Sequence, residues 1–126
     1  AYTLGSGWAA TTALDWTRPV VPDQLTMAQV QAVDLMVASD CIFLQELVTP
    51  FFQTVATVFR HMTRPALLLT FPQRHKNVGS ATFTTLAHIW QEVVVERQWS
   101  CHCVTWQSVT LVDGTVTQVL VLEIRP

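Results

Sequence analysis

Charge is scarce in this sequence. Of its 126 residues 13% are Asp, Glu, Lys or Arg, and 9 acids against 7 bases leave a formal net charge of −2. So few cations offer no basic surface on the scale that neutralising a phosphate backbone requires, which sets nucleic acid aside as a main partner. Long apolar runs are missing too. Half of the residues are apolar and the mean hydropathy is +0.33, yet no stretch approaches the roughly 18–20 uninterrupted apolar residues needed to span a bilayer. No basic-then-apolar leader opens the chain, so neither a membrane span nor a secretory signal is expected. Cysteine is sparse and odd in number. Cys41, Cys101 and Cys103 cannot make a disulfide scaffold, which favours a reducing, intracellular and most simply cytoplasmic setting, with the nucleus left open. With His61, His75 and His88 they do not complete a four-ligand zinc set, so no metal is expected. Glycine is rare as well. The sole Gly-x-Gly is Gly5-Ser6-Gly7, which follows no convincing strand and reads as a loop rather than a phosphate cradle.

What is present is patterned apolar sequence on the scale of one domain. Residues 1–26 mix Gly, Thr, Trp and Pro without a period and read as an irregular segment, with a short strand or turn near residues 13–16. The organised layer spans 27–126. The run VDLMVA, from Val33 to Ala38, suits a strand buried on both faces of a parallel sheet. Leu44, Leu47, Val48, Phe51, Phe52, Val55, Val58, Phe59 and Met62 then recur at spacings of three and four, the stripe of a helix lying on that sheet. Pro50 falls in its first turns, either after a Thr49 cap or within a helix starting near Gln45. Residues 66–71, ALLLTF, make a second strand. A second helix capped by Ser80 carries Phe83, Leu86, Ala87, Trp90, Val93 and Val94 as its stripe, with Trp90 in the core. Residues 101–112 and 115–125 form a hairpin turning at Asp113-Gly114, with His102, Val104, Trp106 and Ser108 on one face. The order strand, helix, strand, helix, antiparallel hairpin defines an α/β fold, half of a doubly wound sheet.

Ser39-Asp40-Cys41-Ile42-Phe43 closes the first apolar strand, and Leu14-Asp15-Trp16 lies upstream. Together these resemble the class I, seven-strand, Rossmann-like S-adenosylmethionine-dependent methyltransferases, in particular the protein-lysine methyltransferase-like branch, whose fourth strand ends in small residue, Asp, two apolar residues and Tyr. The resemblance covers the C-terminal half of that fold. It implies transfer of a methyl group from S-adenosylmethionine to a lysine of a protein substrate by the full-length form. Asp40 and Phe43 would then be the catalytic positions, and Asp15, Trp16 and Ser39 would line the cofactor.

Two departures qualify that implication. Phe43 lacks the hydroxyl of the family's Tyr, although its ring can still hold an alkylammonium by a cation–π contact worth about 0.5–2 kcal/mol. The first strand, its glycine-rich turn and the ribose-binding acid are also missing, so this chain is expected to bind the cofactor weakly or not at all and to be inactive by itself. The strand from Val33 to Ala38 would form an apolar edge, to be covered by the missing N-terminal half or by a second copy.

Each candidate has a plainer role beside the functional one. Asp40 either orients a lysine amine or caps the following helix. Trp16 either edges an adenine pocket or pins the N-terminal segment to the core. Arg60, Arg64, Arg74 and Lys76, with His61 and His75, either form a solvated rim or a surface for a protein substrate. Two further readings of the whole chain are a noncatalytic methyltransferase-like interaction or scaffold domain and a self-contained small α/β binding domain without cofactor.

Overall fold

A computed structural model describes residues 2–20, 26–73 and 82–126. The N-terminal stretch is less irregular than its composition suggests. Strands β1 (Tyr2–Leu4) and β2 (Gly7–Ala9) pair antiparallel across Gly5 and Ser6. Gly5 has φ +60°, so the Gly-x-Gly serves a hairpin turn that needs a left-handed residue. Helix α1 (Met27–Gln31) starts on a capping box in which Thr26 and Gln29 exchange side-chain-to-backbone bonds of 2.9 and 3.2 Å.

Strand β3 (Met36–Ser39) is shorter than the apolar run that announces it. Its first ladder bond, from Met36 N–H to the Ala66 carbonyl at 3.0 Å, leaves Val33, Asp34 and Leu35 outside. A 3₁₀ turn (Gln45–Leu47) leads into helix α2 (Val48–Phe59), so the earlier of the two possible helix starts is the one adopted. Pro50 then occupies the first turn, where a backbone N–H has no intrahelical acceptor to lose. The predicted stripe is buried: Val48, Phe51, Phe52, Val55, Val58, Phe59 and Met62 all enter the core. Strand β4 (Leu67–Pro72) alternates as a sheet packed on one side must, with Leu67, Leu69 and Phe71 buried between half-buried neighbours.

The second helix departs from its predicted phase. Ser80 lies outside the described residues. Helix α3 (Leu86–Trp90) begins at Thr85, whose hydroxyl caps His88 while His88 Nδ1 accepts from Thr85 N–H at 3.0 Å. Phe83 stands ahead of the helix, bridged to Leu44. From Gln91 the helix widens into a π turn (Gln91–Glu96), and the buried line runs through Ile89 and Val93 rather than through Trp90. Trp90 is 52% exposed, so its core assignment is overturned: a 3.6-residue stripe cannot be continued through π-helical turns.

Strands β5 (Ser100–Thr110) and β6 (Val116–Arg125) complete a four-stranded sheet of order β3-β4-β6-β5. β3 and β4 are parallel, with Met36 opposite Leu67, and β6 inserts antiparallel between β4 and β5. Helices and strands alternate as expected, and the architecture is a mixed α/β layer of the Rossmann-like methyltransferase kind. The hairpin turns at Asp113 and Gly114, the latter at φ +83°. Its facing pattern needs correction. The ladder skips a residue between Cys103 and Thr105, a β-bulge that switches the alternation. His102 therefore lies opposite Glu123, while Trp106 lies opposite Leu120 and Ser108 opposite Gln118, on the other face with Cys101 and Cys103. Among the described residues β3 pairs only with β4 and forms one edge of the sheet.

Candidate functional site

The C-terminal end of the parallel pair, where open α/β sheets place their ligands, is shaped by the loop after β3. Asp40 N–H donates to the Thr70 carbonyl at 3.1 Å, extending the ladder one residue past Ser39. There the backbone turns sharply, with Asp40 at φ +50°. Asp is one of the few L-residues that tolerate this left-handed conformation, and such residues collect at functional loops. Cys41 Sγ donates to the Ser39 carbonyl at 3.5 Å. The loop is then fixed from across the fold: the Phe43 carbonyl accepts from Thr84 N–H at 2.8 Å, and Gln45 N–H donates to the Thr82 carbonyl at 2.9 Å. These two bonds flank the Leu44–Phe83 bridge, so the segment feeding α3 holds the loop in place. Phe43 keeps 42% of its surface exposed. The N-cap positions of the 3₁₀ turn and of α2 are Leu44 and Leu47, whose side chains give no cap.

Sequence reasoning overlooked Thr84. It is fully buried opposite Phe43, and its hydroxyl has no hydrogen-bond partner among the described residues. No local signal marks it, because its burial comes from pairing with a loop some 40 residues earlier in the chain.

Asp15 and Trp16 meet the other side of α2. Trp16 packs edge-on against Phe51 with ring centroids 5.0 Å apart. The Asp15 carboxylate closes a local turn, accepting from Thr17 N–H at 2.9 Å and Thr17 Oγ1–H at 2.7 Å, with Arg18 Nε 3.5 Å from its second oxygen. The Thr17 hydroxyl, then its N–H and the Arg18 charge, hold this carboxyl below the usual carboxylate range. Beside Trp16 lies a shallow cavity of about 160 Å³, lined by Arg18 from the turn and by Gln53, Thr54 and Thr57 of α2 among others. Ligand pockets usually enclose roughly 300–1,000 Å³. An aromatic wall and a carboxylate already engaged by its own turn do not fit a whole nucleoside cofactor.

The basic residues divide. Arg60 and Arg64 precede the N-terminal end of β4, with His61 half-buried between them, six strand residues away from the Asp40 edge. Arg74, His75 and Lys76 lie outside the described residues. Cys101 and Cys103 oppose Ile124 and Leu122, with His102 on the reverse face. No helix among the described residues is long and apolar enough to cross a membrane.

A parallel strand pair joined by a helix, with an antiparallel hairpin completing the sheet, is a mixed α/β arrangement consistent with part of a Rossmann-like methyltransferase fold. A family model described as lysine methyltransferase matches residues 4–90, and the chain belongs to that family. Membership implies use of S-adenosylmethionine in general and suggests a protein substrate. No curated protein and no solved structure matches the chain.

Proposed function

We propose that this chain is the C-terminal part of an S-adenosylmethionine-dependent protein-lysine methyltransferase, with its substrate edge at Ser39, Asp40 and Phe43. The observation that carries this reading is the Asp40 loop: a carboxylate in left-handed backbone at the end of the apolar strand, clamped by the 82–84 segment. Asp40 orients the substrate amine, and Phe43 supplies an aromatic face for the alkyl and cationic parts of the lysine. Methyl transfer is a direct displacement, so holding the amine in line provides most of what the protein must contribute. Ser39, Asp15 and Trp16 stand on the cofactor side, and Asp15 and Trp16 supply one wall of it.

The rest of the cofactor site comes from chain that pairs with the open edge of β3. The missing N-terminal half does this most directly, and a second copy is the alternative. The 126-residue chain alone holds the cofactor weakly and does not turn over. The odd thiol count supports a reducing, intracellular setting, most simply the cytoplasm. A second reading, a noncatalytic methyltransferase-like scaffold, is favoured by Phe43 lacking a hydroxyl and by the engagement of Asp15 in its own turn.

One experiment separates them. The longest natural polypeptide containing this chain is titrated calorimetrically with S-adenosylhomocysteine and assayed for labelled methyl transfer to protein lysine, beside its Asp40→Asn variant. Asn keeps the left-handed backbone and removes the charge. The enzyme reading expects binding by both proteins and a loss of transfer of about tenfold or more in the variant. A folded polypeptide that binds no S-adenosylhomocysteine leaves the scaffold reading standing. Tight binding by the 126-residue chain alone would overturn the incomplete-site view.

A further inference from the structure

We propose that β5 is a self-pairing edge, through which two copies of this chain join antiparallel across a two-fold axis at Ser108. Among the described residues β5 pairs only with β6, so one side of an 11-residue strand is open. Edges of that length are normally guarded by proline, lysine or another charge. Residues 98–112 contain no Asp, Glu, Lys, Arg or Pro. The bulge after Cys103 interrupts only the first half of the edge. In the second half Trp106 is 61% exposed, and Ser108 and Thr110 are exposed as well.

The hydrogen bonds of the hairpin fix which backbone groups are free to pair. Leu111 N–H donates to the Thr115 carbonyl at 2.7 Å, and on the far side of β6 the Gln118 carbonyl accepts from Gln73 N–H at 2.9 Å. Bonded and non-bonded pairs alternate along an antiparallel ladder. Thr105, Gln107 and Val109 therefore turn their backbone groups toward β6, while Trp106, Ser108 and Thr110 turn theirs outward. These three are symmetric about Ser108. A second copy laid antiparallel exchanges bonds between the two Ser108 residues, and between Trp106 of each copy and Thr110 of the other. A register shifted toward the N-terminus would run Thr110 against the bulge, and one shifted the other way would run Trp106 against the turn. The side chains agree with this register, because Trp106, Ser108 and Thr110 share one face. Each indole lies beside Thr110 of the other copy, with the small Ser108 pair between the two rings.

A bare strand edge accepts many extended chains, and charge selects among them. A two-fold pairing sets every charge against its own kind, and this segment has none to repel. A lysine-bearing substrate segment, by contrast, finds no carboxylate along this edge. The pairing consumes the β5 edge of both copies, so assembly closes at two. It leaves β3, at the opposite edge, untouched and does not depend on how the cofactor site is completed.

The test is analytical ultracentrifugation of the 126-residue chain. The unsubstituted chain is expected to dimerise reversibly between about 1 and about 200 µM, the weak range suited to so small an interface. Ser108→Lys and Ser108→Asp each place like charges about 5.5 Å apart on the two-fold axis. Each is expected to raise the dissociation constant about tenfold or more, and mixing the two variants restores pairing. Val37→Lys, on the β3 edge, leaves the dimer unchanged. Amide exchange supplies the register: Trp106, Ser108 and Thr110 are protected in the dimer and lose protection in Ser108→Lys, while Gln107 and Val109 keep theirs. A chain that stays monomeric throughout, a dimer that survives Ser108→Lys or is lost in Val37→Lys, the two Ser108 variants staying apart when mixed, or growth past two copies would each overturn the proposal.

Discussion

Replacing Glu92 by Gln tests what holds the π turn against α2, and through it the segment that clamps the candidate site loop. Glu92 Oε1 accepts from Arg97 Nε at 3.2 Å and Nη2 at 2.9 Å, while Oε2 accepts from Thr49 Oγ1–H at 3.0 Å. The Arg97 guanidinium lies 5.3 Å from the Trp99 ring, and Trp99 packs against Phe59 at 5.1 Å. An exposed ion pair would contribute ~0–1 kcal/mol. This one is not exposed, because the side chains of Arg97 and Glu92 keep only 21% and 14% of their surface. Charge-assisted bonds in that setting contribute about 1.5–3 kcal/mol. Gln retains an acceptor and the volume, so Glu92→Gln is expected to cost about 2 kcal/mol. In a cycle with Arg97→Met the coupling should be about 1–1.5 kcal/mol. Urea unfolding at a constant slope measures both. A coupling below about 0.3 kcal/mol would show that the carboxylate and guanidinium act independently, and that packing of Trp99 alone fixes the turn.

Thr84→Val removes a buried hydroxyl without a partner among the described residues and is expected to raise stability by about 1 kcal/mol; a loss in urea unfolding would mean that the hydroxyl does have a partner in solution. Gln98 ends the π turn at φ +58° while Trp99 N–H closes onto the Val93 carbonyl at 2.9 Å, so Gln98→Gly should gain about 0.5–1 kcal/mol in thermal unfolding. Asp113 accepts from Thr115 N–H at 2.9 Å, and the Thr115 hydroxyl and N–H hold its carboxyl below the ordinary value. Its folded form therefore binds a proton less readily than its unfolded form. Its contribution is complete above the ordinary carboxylate value and disappears as pH falls through the lower folded one. Asp113→Asn should thus reduce the fall in urea midpoint between about pH 5 and about pH 3, and an unchanged fall would locate the acid sensitivity elsewhere.

Helix α2 was legible because its burial is periodic: a stripe at spacings of three and four from Val48 to Met62 can satisfy only a helix on a core. The Asp40 loop was legible for a related reason, since an apolar strand that stops at Ser39-Asp40 must turn out of the sheet there. α1 was also readable, through Thr26 and Gln29, but a capping box without an apolar stripe is easily passed over. The π turn and the bulge were not readable. Both insert a residue into a regular ladder, and nothing in WQEVVVE or CHCVTW marks where the period slips; the cost falls on Trp90 and Trp106, each assigned to the wrong side. Within the candidate site, Asp15 with Thr17 is a local turn that sequence could reveal. Trp16 on Phe51 and Thr84 under Phe43 are contacts across some 35–40 residues, which a single sequence does not encode locally.

The choice between a self-contained small domain and part of a larger layer turns on the second face of the sheet more than on the cofactor residues. One face is closed by α2, α3 and the π turn over Leu67, Leu69, Phe71, Leu122 and Ile124. The other carries Val37, Leu68 and Thr70, then Val119 and Val121, in register across β3, β4 and β6. Val37 is 71% exposed, and a groove of about 500 Å³ runs between Thr70, Thr105, Gln107, Val109, Val119 and Val121. A sheet evolved to meet water on that side would alternate apolar with charged residues. Here Glu123, paired with Arg125 at 2.8 Å, is the sole carboxylate in that register on the described strands, and Val37, Leu68, Val109, Val119 and Val121 make much of the rest aliphatic. Aliphatic residues on both faces are what parallel sheets show when a layer covers each side. Aliphatic residues thus collect where a second layer would lie, which supports the proposal of a partial methyltransferase over a self-contained binding domain without appeal to any cofactor contact.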